Sequence, residues 1–426
     1  NGSHGENWGT VATINVPPLY LGPVWYVSTS GLDDNEGSEN SPFATIQAGI
    51  DRANDGDTIL VDEGVYMESD LSISDKSISI ISTSGYENTT IHSDAGLISI
   101  AINDRTFLMD GFTMKGGSGN NTLFVNSGAV TFMNMEFSNN GGLGNNDLFR
   151  GNGIDQTYFI DCIFKDNVGE NNVGVTSATL IRCLFYDNQA TNNPKPISDS
   201  KAINCVVFNT TWYPGWGGGE DNEWTAGAMN GGTAVNCIFW DNVGYASDEG
   251  YQQVYNAESV TYSNIEWGYE GEGNIHDDPM FANVQNEDFN LQSNSPCIDA
   301  GDPDLDGDGI DHSSDPDDQD LDGTRLDMGA LYYHQGAPLY YGPIYHVSIE
   351  GSDIDHNGSE ELPFGTIQYA INACSDGDTV LIHPGTYAQV VDPNGRNINN
   401  GASVVRAPNI KPEKYVIFRP TIKKQK

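Results

Sequence analysis

Cys162-Ile163-Phe164-Lys165-Asp166-Asn167 and Cys183-Leu184-Phe185-Tyr186-Asp187-Asn188 are one phrase written twice, and how they are read decides the fold. Other copies are Met135-Glu136-Phe137-Ser138-Asn139-Asn140, Cys205-Val206-Val207-Phe208-Asn209, Cys237-Ile238-Phe239-Trp240-Asp241-Asn242 and Ser263-Asn264-Ile265-Glu266-Trp267, with Asp110-Gly111-Phe112-Thr113 as an earlier member. Phe112, Phe137, Phe164, Phe185, Val207, Phe239 and Ile265 then recur at intervals of 25, 27, 21, 22, 32 and 26 residues. A period of that length marks a solenoid.

The contents of each repeat are β-branched and aromatic, as in Thr157-Tyr158-Phe159-Ile160, and close on Asp-Asn or Asn-Asn, which are strand and turn signals. Helical repeats would need apolar residues at i, i+3, i+4 and i+7, and none of these segments supplies them. The expected fold is an all-β, right-handed parallel β-helix whose like residues stack about 4.8 Å apart. Phe137, Phe164, Phe185 and Phe239 would form an inward aromatic stack. Cys162, Cys183, Cys205 and Cys237 would form a buried thiol stack, and Asn140, Asn167, Asn188 and Asn242 a ladder of left-handed turns.

Working outward, Ser41-Pro42-Phe43-Ala44-Thr45-Ile46-Gln47 opens a short helix, with Ser41 expected as N-cap and Pro42 as first helical residue. Phe43, Ile46, Ile50 and Ala53 share a face that would cover the first rung, whose strand is Thr58-Ile59-Leu60-Val61. This run, with Gly56-Asp57 and Gly64-Val65-Tyr66, resembles the N-terminal cap of secreted bacterial right-handed parallel β-helix proteins of the pectate-lyase-like superfamily. Ser295-Pro296-Cys297-Ile298-Asp299-Ala300-Gly301-Asp302-Pro303, with Asp322-Gly323-Thr324-Arg325 and Asp327-Met328-Gly329-Ala330, resembles the end module that closes such helices in surface-anchored proteins. The resemblance implies the fold and an extracellular location; function follows from it poorly, because the superfamily holds lyases, hydrolases, epimerases and adhesins.

Asp304-x-Asp306-x-Asp308-Gly309 and Asp318-x-Asp320-x-Asp322-Gly323 both match the first half of a calcium loop, in which alternate carboxylates wrap one hard cation and glycine makes the turn. Asp315 stands where the first loop's closing carboxylate belongs, and Asp327 roughly so for the second. Ca2+ is the expected ion.

Pro338-Leu339-Tyr340-Tyr341-Gly342-Pro343-Ile344-Tyr345 then repeats Pro18-Leu19-Tyr20-Leu21-Gly22-Pro23-Val24-Trp25, and Pro363-Phe364-Gly365-Thr366-Ile367-Gln368 repeats Pro42 to Gln47, so a second β-helix is begun. The expected divisions are an extended segment 1–24, a cap and first strand 25–66, the β-helix 67–298, the Asp-rich calcium module 299–330, a second cap 331–395 and a basic tail 396–426. The tail holds eight basic residues and one acid, +7, which leaves -49 on the remainder of a chain whose formal charge is -42. An unfinished rung, the spare strand Lys414–Arg419 and opposite charges favour head-to-tail self-association through 338–426.

So acidic a surface repels nucleic acid and anionic membranes, and no apolar run reaches the ~20 residues that span a bilayer. The chain starts at Asn1, as a mature form without its signal peptide would.

Catalysis of the lyase type needs a Lys or Arg base beside carboxylates. Of Lys115, Arg150, Lys165, Arg182, Lys195 and Lys201, the best-placed is Lys165, beside Asp166, with Asp187 and Asp241 in the same column and Arg182 one rung away. A hydrolase would use Asp161, Asp166 and Asp187. Glycan binding without chemistry would draw on Trp212, Tyr213, Trp216 and Trp224 in the longest interval, and on Trp240 and Tyr186 as outward-facing aromatics. The function expected is that of an extracellular, calcium-stabilised structural or adhesive protein, self-associating into a filament or array; a calcium-dependent polysaccharide lyase or other glycan-active or glycan-binding β-helix protein is the alternative.

Overall fold

Each repeat alternates apolar and polar side chains through short strands, and a left-handed residue turns the chain between them. The strands therefore stack in parallel on the previous turn. The computed structural model describes residues 24–94, 96–118, 122–142, 148–169, 173–190, 195–212, 227–242, 252–315, 318–320, 322–335, 344–353, 357–373, 379–383, 403–405 and 416–419. They fold as two compact units, residues 1–311 with 325–333, and 312–324 with 334–426. No helix among them is long and apolar enough to cross a membrane.

The first unit is a parallel β-helix. Its first sheet has 16 strands running along two faces of the rod, its second has nine, and a short third sheet has four. In the second sheet Phe137, Phe164, Phe185, Val207 and Phe239 are in register across successive strands. The rings of Phe137, Phe164 and Phe185 stack at 4.9 and 4.5 Å, and Val207 interrupts the file before Phe239. The earlier member of the column is Met114, not Phe112, because Thr113-Met114-Lys115 pairs with Glu136-Phe137-Ser138. Phe112 is buried two residues earlier, before that strand begins.

Cys162, Cys183, Cys205 and Cys237 are fully buried free thiols as expected. Their Sγ–H groups donate to backbone carbonyls, as Cys162 does to Ile160 at 3.3 Å and Cys205 to Ile203 at 3.3 Å. Burial pushes the Cys183 and Cys237 thiols up, so they sit as inert apolar filling.

The asparagine ladder is present, but its members are not the left-handed residues. Those precede them: Asn139, Asp166, Asp187, Asn209 and Asp241 have φ between +47° and +56°. Asn140, Asn167 and Asn188 point inward. Asn140 Nδ2 donates to Asn167 Oδ1 at 3.1 Å and Asn167 Nδ2 to Asn188 Oδ1 at 3.0 Å. Thr210 breaks the file before Asn242, and its buried Oγ1 has no hydrogen-bond partner.

The helix spans Ile46–Arg52 and buries Ile46, Gly49 and Ile50 over the first rung. Its N-cap is Thr45 rather than Ser41. Phe43 is bridged in parallel to Val27 and so is extended, while Asp33 Oδ1 accepts the N–H groups of Ala44 and Thr45 at 2.9 Å. The helix can begin only after those ties.

The second unit repeats this cap. Strands Ile344–Val347 and Thr379–Ile382 pair in parallel, and the helix Ile367–Ala373 accompanies them. Strand Val416–Arg419, expected to be spare, pairs antiparallel with Thr379–Ile382 on one side and with Ser403–Val405 on the other.

Candidate functional site

The residues expected to form a lyase-like cluster lie at opposite ends of the second-sheet strands. Arg182 falls at the turn before Leu184–Tyr186, in a file of left-handed residues comprising Asn134, Asp161, Arg182, Asn204, Asn236 and Tyr262. There its Nε and Nη2 donate to Asp161, both at 2.7 Å. Asp166, Asp187 and Asp241 occupy the turn at the other end. Burial, then the charge of Asp187, raises the Asp166 carboxyl; burial raises that of Asp241; Asp187 accepts from Asn209 Nδ2 at 2.6 Å.

Lys165 is ion-paired with two carboxylates. Its Nζ lies 3.1 Å from Glu287 and 3.3 Å from Glu136. Burial favours its neutral form, but the hydrogen bonds and charges of Glu287 and Glu136 outweigh that and hold its pKa above the ordinary lysine value. Glu287, itself left-handed at φ +59°, sits at the turn of an antiparallel hairpin built from Phe281–Asn283 and Asp288–Leu291. Its carboxylate also accepts from Tyr186 Oη at 2.7 Å.

That hairpin covers the outward column expected to stack on sugars. Tyr186 is buried against Phe289, ring centroids 5.0 Å apart, and Phe208 lies edge-on to Phe281 and Phe289 at 5.9 and 5.4 Å. Trp240 is half-buried in the same cluster, which Cys297, Met328 and Ala330 complete. The segment expected to close the rod's end thus runs along its side, held by Asn204 Nδ2 donating to Asp327 O at 2.9 Å and Gly329 N donating to Asn236 O at 2.8 Å. Alternation through Phe289 and Leu291 after Asn286-Glu287 was the available signal for this hairpin. Tyr213, Trp216 and Trp224 lie outside the described residues, as does the side chain of Trp212.

A groove of about 410 Å³ opens instead on the outer face of the first sheet. Its floor is the strands Lys201–Ile203, Thr233–Val235 and Ser259–Thr261, which are paired in register. One wall is the loop Asp302 to Gly307, anchored where Leu305 packs against the cluster of Ile160, Ile181 and Ile203. The other is Tyr262 and Glu272. Tyr262 is left-handed at φ +46°, a costly state for a bulky residue, and Gly273 must stay glycine because a Cβ there would fall 2.2 Å from its ring. Arg325 lies over the Tyr262 ring, 5.7 Å from the centroid, and its buried Nε has no hydrogen-bond partner. Tyr262 Oη donates to Glu272 Oε1 at 3.2 Å. Burial raises the Asp302 carboxyl, opposed by the Asp304 N–H and reinforced by the charge of Asp304. The groove so offers an ammonium, three carboxylates, hydroxyls of Thr233, Ser259 and Thr261, and one aromatic face. Lys201 was visible in the sequence only as one of a few basic residues, and Asp302 only as part of the run resembling an end module; Glu272 belongs to no motif there.

Of the expected metal ligands, Asp304, Asp306 and Asp308 stand together in the first unit. Carboxylate oxygens of Asp304 and Asp306 lie within 4.8 Å, as do those of Asp306 and Asp308. Gly309, at φ +86°, turns the loop so that its N–H donates to Asp304. These oxygens suit a hard cation. Asp315, Asp318, Asp320 and Asp322 belong to the second unit. There Asp322 accepts from Thr324 Oγ1 and Gln335 N, both at 2.7 Å, and Gly323 N donates to Asp320 O at 2.9 Å. The oxygens of Asp327 accept the backbone N–H groups of Asp299 and Tyr333, which ties the chain there.

No family model matches the chain, and no curated protein matches it. Among solved structures it is similar to pectate lyase Pel9A, with 13% identity, covering 72% of this chain and 96% of that one at a TM-score of 0.39. It is similar also to a rhamnogalacturonan lyase (11% identity, 57% and 68% covered, TM-score 0.30) and to the pectin methylesterase from Aspergillus niger (14%, 56% and 87%, TM-score 0.30). The assignment of the fold rests on the strand pairing itself.

Proposed function

We propose that this chain is an extracellular, structural or adhesive β-helix protein that binds a saccharide in the groove over Lys201, Thr233 and Ser259. The observation that carries this reading is the groove: a rigid strand floor, a fixed aromatic face at Tyr262 and convergent polar groups match what sugar rings need. Calcium on the Asp304, Asp306, Asp308 loop would stiffen the wall that Asp304 shares. Binding to a polysaccharide panel on affinity gels tests it: Lys201→Ala and Tyr262→Ala should each weaken retention about tenfold or more, which is about 1.4 kcal/mol. Retention unchanged in both variants would refute the site.

One observation favours a lyase as the second reading. Lys201 shares the groove with Glu272, Asp302 and Asp304, the base and carboxylates that Lys165 lacks in accessible form. Absorbance of unsaturated uronates released in the presence of calcium, lost in Lys201→Ala, would establish it.

Head-to-tail association through 338–426 stays part of the proposal, with Ser403–Val405, paired on one side among the described strands, as the edge to extend. Light scattering that gives only monomers with and without calcium would remove it.

A further inference from the structure

The second cap differs from the first at two positions that meet. Where the first has Tyr26 and Asp62, the second has His346 and His383. His346 lies on the strand Ile344–Val347 and is buried at 8% exposure; His383 follows Thr379–Ile382, its N–H bonded to Val347 O at 2.8 Å. Pairing of the two strands brings the rings side by side, centroids 5.3 Å apart, with His346 Nδ1 and His383 Nε2 separated by 3.0 Å.

We propose that His346 and His383 form a binding site for a borderline transition-metal ion of the Ni2+, Cu2+ or Zn2+ type. Two imidazole nitrogens bound at ~2.0–2.1 Å to one ion are roughly 2.9 Å apart at a right angle and roughly 3.4 Å apart at the tetrahedral angle. The observed 3.0 Å falls within that span, so the ion requires displacement of the proton the rings share and a turn of the rings toward it, with no change in the spacing of the strands. The two nitrogens are already within hydrogen-bond distance and the parallel strands hold the backbone beneath them, so a modest turn of the rings brings both lone pairs onto one ion and the ordering cost of chelation is low.

Burial, then the neighbouring His383, lowers the pKa of His346, the direction that favours the uncharged ring. Glu360 and Glu361 act on it in the opposite sense and place negative charge near the ion. Among the described residues no third His, Cys, Asp or Glu joins the pair in a three-donor cluster, so water or an outside ligand would complete the shell. Imidazole selects this ion class over calcium, for which carboxylates are suited.

The test titrates the full chain with Ni2+ in millimolar Ca2+, which fills oxygen sites, and follows heat and the histidine ring protons by NMR. One equivalent should bind with selective broadening of two histidines, and His346→Tyr should weaken it about tenfold or more. That variant keeps the fold, since Tyr26 occupies the same place in the first cap, and circular dichroism verifies it. No saturable Ni2+ site, or equal affinity in His346→Tyr, would overturn the proposal and leave the pair a simple hydrogen bond.

Discussion

The two copies of the cap share a scaffold and differ in what their second strand meets. In the first, Thr58–Val61 is continued in parallel by Ile78–Ser82, and a rod follows. In the second, Thr379–Ile382 is met antiparallel by Val416–Arg419. What is common is local. Asp33 and Asp353 each accept two backbone N–H groups ahead of the helix, and Trp25 stacks on Phe43 as Tyr345 does on Phe364, at 6.1 and 6.2 Å. The cap is thus a self-contained piece of folding information, and whether it seeds a solenoid depends on the sequence that follows.

Phe43→Ala and Phe364→Ala should break the comparison most strongly, each costing about 3–5 kcal/mol in its own module. Phe43→Ala should lower the denaturant midpoint of the rod, whereas Phe364→Ala should leave that midpoint unchanged and speed proteolysis of the second unit. Asp33→Ala and Asp353→Ala should do the same with about 1–2 kcal/mol each. Thr210→Asn confines the perturbation to the rod: by supplying the missing ladder amide it should raise the rod's stability by about 1 kcal/mol and leave the second unit alone, as hydrogen exchange would show.

Acidification should split the copies in opposite senses. Burial raises Glu68, whose carboxylate accepts from Ile46 N; a raised folded pKa means stability lost as pH climbs through it, so the first cap should tighten as pH falls from 7 towards 4.5. The lowered pKa of His346 means that its folded form binds fewer protons than the unfolded chain below about 6.5, so the second cap should loosen over the same descent. Hydrogen exchange at pH 7 and pH 5 measures both.

The smallest effect concerns a paired exchange of volume. Gly49 and Ile59 in the first cap correspond to Ala370 and Val380 in the second. A Cβ on Gly49 would lie 3.0 Å from Ile59 Cγ2. Gly49→Ala should therefore cost up to about 1 kcal/mol; Ile59→Val, which keeps Cγ2 and removes only Cδ1, 3.6 Å from that Cβ, should recover less than half of it, a coupling of about 0.3 kcal/mol in a double-mutant cycle.

The rod was legible because solenoid repeats print their periodicity directly: the Phe, Cys and Asn files lie where the intervals put them. Reading failed where contacts leave the repeat. Phe112 misled because its rung begins two residues later, and Ser41 because Phe43 is pulled into a bridge with Val27. Lys165 and Tyr186 read as exposed because alternation points them outward, and nothing within their own rung shows that Glu287 and Phe289, more than 100 residues later, cover them. The groove joins Lys201 to Glu272 and Asp302 across 71 and 101 residues of sequence, so no spacing rule could announce it.

The hairpin over Lys165 also affects how the rod meets its surroundings. With that ammonium held between Glu136 and Glu287, and Arg182 and Arg105 engaged by Asp161 and Asp55, much of the rod's scarce positive charge is neutralised locally. Flank-to-flank approach of two rods then sets carboxylate against carboxylate. That repulsion reaches about 10 Å in 0.1 M salt and shrinks to about 3 Å at 1 M, so ionic strength alone should govern how densely such rods crowd.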